Sequence, residues 1–332
     1  MVVQPDPVEA LLTTYNELNP SVIEELHEEP SPLEFMRYVA RNTPFVVRNG
    51  ASDWNATRTW TADYLRDFLR QHKVNVAVTP EGNADCPTLH PDGKLVFAKP
   101  WEEDQPFPEF LDYLQRQELD RSEFQSSEIR YAQTQNDNLR HEYVSLFDQV
   151  QRDIPFARIA LEKEPDAINM WIGNSHSVTA MHLDNYENIY VQIQGQKHFV
   201  LLPPHCHPCV NKKPLPPATY ARSRDGENLE LIMDHSANGD EVPDVPFAIW
   251  DPDCPEENAT QYSKLAQPMR VTLNKGDMLY LPAMWYHKVS QSCSEEGICV
   301  AVNYWYDMDF SGPLFPLASF VRSVTVPHEI PE

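Results

Sequence analysis

Thr179-Ala-Met-His182-Leu-Asp184-Asn-Tyr-Glu-Asn188-Ile-Tyr190 is the stretch on which the fold turns. In a β-strand the side chains of residues i and i+2 point to one face. A strand here therefore sets the His182 imidazole beside the Asp184 carboxylate. That pair is two thirds of the 2-His-1-carboxylate set that holds non-heme Fe(II) and leaves coordination positions open. A lone His-X-Asp arises often by chance, so the pair gains weight only from a third ligand. Gly276-Asp-Met-Leu-Tyr-Leu-Pro282-Ala-Met-Trp285-Tyr-His287 supplies one. Gly276-Asp277 turns the chain into a strand, Pro282 ends it, and the next strand begins by presenting His287. Taken alone, His287 reads more readily as a core histidine flanked by aromatics.

Working outward, short apolar or alternating runs predict strands at 129–133, 168–172, 179–184, 188–194, 197–202, 270–274, 277–281, 286–290 and 298–306. Gln194-Gly195-Gln196-Lys197 reads as a tight hairpin turn with glycine at its first central position. Many short strands with few helices between them predict a mainly β fold, a sandwich or jelly-roll barrel. Before them, the first 125 or so residues mix helices with short strands. Ser31-Pro32-Leu33-Glu34 is a capping box opening a helix over 31–40. Further helices are expected over 7–18, after a Thr61 cap, and over 107–117. The expected organisation is a single unit. An α/β elaboration covers 1–125, a β core 126–310 with an insertion at 205–268, and a tail 311–332.

Lys197 shares a strand face with Phe199 and Leu201, which points it toward an apolar interior. A buried lysine is costly unless a negative charge meets it. If the interior holds an iron, the distal carboxylate of a dicarboxylic co-substrate is the natural partner, and Thr179 and Asn188 bracket the His-X-Asp to add hydrogen bonds. The competing reading is a lysine that snorkels to solvent. Residues 205–268, rich in Pro and Asp, show little periodicity; a segment of that kind is often functional or a lid. Its His205-Cys206-His207-Pro-Cys209 has zinc-like spacing, but a structural zinc needs four ligands, and Cys254 is the only further thiol nearby.

The 332 residues carry a net charge of −24. That argues against a nucleic-acid phosphate surface and suits a basic protein or peptide partner. The 30 prolines favour turns and short strands over helix. No apolar run reaches the length of a membrane span, and the N-terminus shows no secretory signal. The 6 cysteines have no framework spacing. Together these predict a cytoplasmic, or also nuclear, compartment.

Thr179-x-x-His182-x-Asp184-x-x-x-Asn188 with Lys197, then Gly-Asp-x-Leu-Tyr-Leu-Pro-x-x-Trp-x-His287, resembles the JmjC family of Fe(II)/2-oxoglutarate oxygenases in the cupin superfamily. Leu279-Tyr-Leu-Pro-Ala-Met-Trp-Tyr-His287 and Ala301-Val-Asn-Tyr-Trp-Tyr-Asp-Met-Asp309 most resemble the small JmjC-only lysyl hydroxylases of translation-factor-type GTPases. The resemblance implies a double-stranded β-helix core. It implies Fe(II) on His182, Asp184 and His287, with 2-oxoglutarate and O2 as co-substrates. Lys197 would pair with the 2-oxoglutarate C5 carboxylate, helped by Thr179, Asn188 and Tyr131. Asn303, Gln133, Trp171 and Trp285 are expected near metal or substrate. The implied partner is a lysine-bearing GTPase, and the same reading allows for a homodimer. The 105-residue interval from His182 to His287 is long for the family core. The competing functions are demethylation of a methyl-lysine and, in another class, a non-catalytic cupin-fold binding module.

Overall fold

The computed structural model describes residues 6–119, 128–226, 228–236, 238 and 242–325. Eight strands build its core: β1 (Ala167–Gly173), β2 (Thr179–Leu183), β3 (Tyr186–Gln194), β4 (Gln196–Leu202), β5 (Met269–Leu273), β6 (Met278–Leu281), β7 (Tyr286–Ser292) and β8 (Cys299–Asp307). They divide between two sheets, in the orders β6-β3-β8-β1 and β5-β4-β7-β2. All these pairings are antiparallel, and the interleaved order is that of a jelly roll. Phe45–Val47 and Glu24–Leu26 extend the first sheet beyond β6.

The period-2 pattern of β8 explains how one strand serves two cores. Val300, Val302, Tyr304 and Tyr306 pack outward with Phe35, Phe110 and Leu146 of the N-terminal half and its helices. Ala301, from the alternate set, faces the barrel interior with Trp171, Tyr190 and Phe199. A strand buried on both faces reads as a continuous apolar run, as Cys299–Tyr306 does. Each large side chain so buried contributes about 1.5–3 kcal/mol.

The turn at Gly195 differs from the hairpin that its sequence predicts. β3 and β4 lie in different sheets, so Gly195 is a one-residue corner between them. Its φ is +69°, and a Cβ there would fall 2.6 Å from the Ser292 carbonyl oxygen. Only glycine fits both demands.

The helices of the N-terminal half form as the sequence predicts, whereas residues 80–93, whose Pro, Gly, Asn and Asp read as a loop, hold a strand at Cys86–Leu89 that pairs with Leu95–Lys99. Helices run over Pro7–Leu18, Pro32–Arg41, Ala62–Phe68 and Phe107–Leu119, and Ser31 and Glu34 close the capping box. Lys73–Thr79 pairs with Trp101–Pro106 on one side and Ile129–Tyr131 on the other. That second pairing delivers Tyr131 to the barrel, where Ala132 bridges Ile172 of β1.

The insertion is more ordered than its composition suggests. Lys212–Leu215 pairs with Val245–Ala248, and Pro217–Arg222 with Leu229–Met233. Pro217–Thr219 also runs parallel to Phe97–Lys99 of the N-terminal half. Lys212–Leu215, Pro217–Arg222 and Val245–Ala248 are partly exposed and proline-bearing, so their sequences lack the clean alternation of a buried strand. The expected tail holds a helix, Leu314–Thr325; its residues 326–332, like 227, 237 and 239–241 of the insertion, lie outside the described ones. Among the described residues no helix is long and apolar enough to cross a membrane.

Candidate active site

Two neighbouring strands bring the His-X-Asp and the distant histidine together. His182 of β2 and His287 of β7 are direct cross-strand partners, and their rings lie 4.1 Å apart. The turn before β7 is fastened to the end of β2 by a bond from Met284 N to the Asp184 carbonyl, 2.7 Å. Met284 has a φ of +69°, a left-handed conformation rare for such a residue and characteristic of sites where surrounding structure imposes it. Part of that surround is Glu187, whose buried carboxylate accepts from Tyr280 Oη at 2.7 Å and from Ala283 N at 3.2 Å. Burial pushes the Glu187 pKa up.

The donor set fits a metal. Asp184 Oδ2 lies 3.7 Å from His182 Nε2 and 3.7 Å from His287 Nε2. His182 Nδ1 sits 2.8 Å from the Ala180 carbonyl and His287 Nδ1 3.1 Å from the Trp285 carbonyl. Each carbonyl accepts the Nδ1 proton, so each Nε2 lone pair is free and faces the shared carboxylate. Burial, reinforced by His182, lowers the His287 pKa to about 4, keeping it a neutral ligand at pH 7. Among the described residues this is the single group of His, Cys, Asp or Glu side chains close enough to hold an ion, with ligand atoms within 4.8 Å of one another.

Thr179, Asn188, Lys197, Tyr131, Trp171 and Asn303 line the same cavity as the triad. Lys197 is 2% exposed. Its Nζ donates to Tyr131 Oη at 2.8 Å and stands 5.1 Å from that ring's centre. Among the described residues no carboxylate pairs with it, so a full charge faces the cavity with only a neutral phenol beside it. Gly173 makes room for the phenol: a Cβ there would fall 2.7 Å from Tyr131 Cδ2. Trp171 Nε1 donates to Asn303 Oδ1 at 2.9 Å, and Asn303 Nδ2 to Asn188 Oδ1 at 3.2 Å, giving a polar chain across β1, β8 and β3.

Two expected neighbours sit elsewhere. Trp285 packs in the barrel interior without lining the cavity and donates its indole N–H to Asn42, at 2.8 Å to Oδ1 and 2.9 Å to the carbonyl. Gln133 donates to Asp85 Oδ2 at 3.2 Å, and Gln135 takes the place on the cavity wall. The strand ends at Tyr131, so strand alternation does not fix the directions of Gln133 and Gln135 beyond it. Tyr190, Phe199, Leu281, Val289 and Trp305 also line the cavity. Strand alternation from Asn188, Lys197, His287 and Asn303 would have found Tyr190, Phe199, Val289 and Trp305. The His205–Cys209 segment is structural. His205 packs on Tyr15 at 3.7 Å, His207 Nδ1 meets Tyr286 Oη at 2.7 Å, and Cys209 Sγ meets the Tyr262 carbonyl at 3.3 Å.

Comparison with known proteins agrees with this geometry. A family model described as a cupin-like domain matches residues 30–312. The human protein named bifunctional peptidase and (3S)-lysyl hydroxylase JMJD7 is 36% identical over 292 residues, covering 88% of this chain and 86% of its own. Lysine-specific demethylase JMJ32 of Arabidopsis thaliana is 36% identical over 297 residues, covering 87% and 82%. JmjC domain-containing protein E of Dictyostelium discoideum is 32% identical over 315 residues, covering 90% and 87%. The chain belongs to the cupin-like JmjC family of Fe(II)- and 2-oxoglutarate-dependent oxygenases.

Proposed function

We propose that this oxygenase hydroxylates a carbon of a lysine side chain on a protein partner, a GTPase of the translation-factor-related class. His182, Asp184 and His287 hold the iron in this reading. Lys197, with Tyr131, receives the distal carboxylate of 2-oxoglutarate, and Thr179 and Asn188 add polar contacts to the same ligand. When bound, iron and 2-oxoglutarate supply the oxidant for a substrate C–H bond, one oxygen of O2 ending in the new hydroxyl and the other in succinate as CO2 leaves. The protein's own part is to fix three donors, meet the co-substrate's charge and hold the target carbon close.

The observation that carries the reading is Lys197, a buried cation without a carboxylate partner at the base of a cavity that also holds the triad. It speaks for a bound anion and against a cupin that merely scaffolds. The lysyl specificity draws on the human relative's name and on the net charge of −24, which attracts basic targets. Demethylation of a methyl-lysine is the second reading, favoured by the equal likeness to the plant demethylase.

Candidate GTPase and methyl-lysine peptides incubated with the protein, Fe(II), 2-oxoglutarate and O2 separate the two by mass spectrometry. Gain of one oxygen on an unmethylated lysine, matched by succinate and without formaldehyde, is the expected result. Loss of a methyl group with no oxygen retained would assign demethylation instead.

A further inference from the structure

We propose that Asp85 receives the ε-ammonium of the substrate lysine, with Gln133 as the residue that orients it. The inference rests on the lysyl reading above and extends it to a residue outside the triad and the co-substrate contacts.

Asp85 ends the loop that follows strand Lys73–Thr79, and that loop is fastened beside the cavity. Val178 N, one residue before β2, donates to the Gly82 carbonyl at 2.8 Å. Gly82 has a φ of +74°, and a Cβ there would fall 2.0 Å from the His176 carbonyl oxygen, so loop and strand approach without room for a side chain. On the other side, Gln133 donates to Asp85 Oδ2 at 3.2 Å, and it lies between Tyr131 and Gln135, both on the cavity wall.

The charge balance indicates what is missing. Among the described residues Asp85 has no ion-pair partner. Lys99, whose charge reaches it, is already held by Asp234 at 2.6 Å. Burial raises the Asp85 pKa, and the neighbouring Glu102 raises it further, while the bond from Gln133 acts in the opposite sense. Asp85 is thus a carboxylate without a described counter-ion, joined by Gln133 to the segment that carries the wall residues Tyr131 and Gln135. The site carries two uncompensated charges of opposite sign: Lys197 inside, which takes a carboxylate, and Asp85 outside the ring of lining residues, which takes a cation.

A second, independent feature marks the cavity as a ligand site. Trp305 lines it and is 7% exposed, and its Nε1 has no hydrogen-bond partner. Its ring stacks on Tyr186 at 4.9 Å. An unpaired indole N–H suits a peptide carbonyl, and the paired rings offer an apolar wall to an aliphatic stem. An ammonium on Asp85 places carbon, not nitrogen, toward the metal ligands, which fits hydroxylation better than N-demethylation.

The test compares two degenerate peptide libraries, one with a fixed central lysine and one with norleucine, its uncharged near-isostere. The readout is the rate of oxygen gain at the fixed position. The wild-type protein should favour lysine by roughly 10- to 100-fold, the range set by one charge-assisted hydrogen bond in a partly buried site. Asp85→Asn should abolish that preference. Asp85→Glu should retain part of it, showing that charge and not folding is at issue. Ordinary lysine oxidation with the preference intact in Asp85→Asn would overturn the assignment of Asp85 alone. No oxygen gain on lysine by the wild-type protein would overturn the lysyl reading and this inference with it.

Discussion

Lys197→Met is the substitution that bears most directly on the site. Methionine keeps the length and removes the charge. In the native protein Lys197 is 2% exposed, with Tyr131 Oη at 2.8 Å as its partner. A phenol does not neutralise an ammonium, so the compensation must come from the co-substrate. Without Lys197 the distal carboxylate enters a buried site unpaired. Breaking a buried ion pair at one end costs about 3–5 kcal/mol, which is roughly a 150- to 5,000-fold loss of affinity. The sign reverses without ligand, because an uncompensated buried charge has been removed, so the melting temperature of the ligand-free protein should hold or rise. Calorimetric titration of 2-oxoglutarate into Mn(II)-loaded protein measures the first effect, and thermal unfolding of the ligand-free protein measures the second. Unchanged 2-oxoglutarate affinity would refute the pairing. A melting temperature lowered by several degrees would show that the bond to Tyr131, not a waiting ligand, is what the charge serves. Tyr131→Phe is the graded control: one hydrogen bond of about 1 kcal/mol, or roughly fivefold, is expected.

His182→Ala, Asp184→Ala and His287→Ala should each abolish turnover and Mn(II) binding while leaving the circular dichroism spectrum unchanged; full activity in any one removes that residue from the triad. Gly173→Ala should push the Tyr131 ring, whose Cδ2 a new Cβ would approach to 2.7 Å, and weaken 2-oxoglutarate binding by roughly fivefold or more, taking about 1 kcal/mol for overpacking; unchanged affinity would show that the ring has room to yield. Stability should fall with acid. His205, His207 and His287 are each lowered to about 4 from the ordinary histidine value of 6.5, burial being the first cause in all three. The unfolded chain therefore binds more protons between those values, and their contribution, complete above about 6.5, is lost as pH falls toward 4. Urea unfolding of the metal-free protein at pH 7.5 and pH 5 reads this directly, and equal midpoints would contradict it. Leu317 and Phe320, each 61% exposed on the last helix, should self-associate as a homodimer in sedimentation; a monomer at high concentration excludes that.

Alternation is what made the core strands and most of the cavity legible in the sequence. The faces of Lys197-His-Phe199 and of His182-Leu-Asp184 follow from the two-residue period alone; Thr179, of the opposite parity, joins the same cavity through the register shift between β2 and β7. Gly195 was misleading because a turn residue specifies a local backbone shape, not which sheet the next strand joins. Trp285 was misleading for a related reason: two residues from His287 in sequence, its indole N–H is tied to Asn42, from the far end of the chain. Gln133, between two wall residues, bonds instead to Asp85, a partner 48 positions away that no local pattern announces. Asp85 was invisible, because its meaning lies in the absence of a counter-ion, which only the packed structure displays.

β2 has a consequence for dynamics. It is an outer strand of its sheet, paired among the described residues with β7 alone, and the register between them is irregular between His287 and Val289. An outer strand with one neighbour opens locally at low cost. An ion held by His182 and His287 would act as a clasp across that one-sided seam, so metal occupancy should set how often the seam opens. Deuterium uptake at the amides of 179–183 should slow when Mn(II) is added, whereas β8, bonded on both sides, should not change. The iron site would then be the means by which an edge strand of the barrel is kept shut, and loss of metal would loosen the cavity wall before it unfolds the doubly bonded strands.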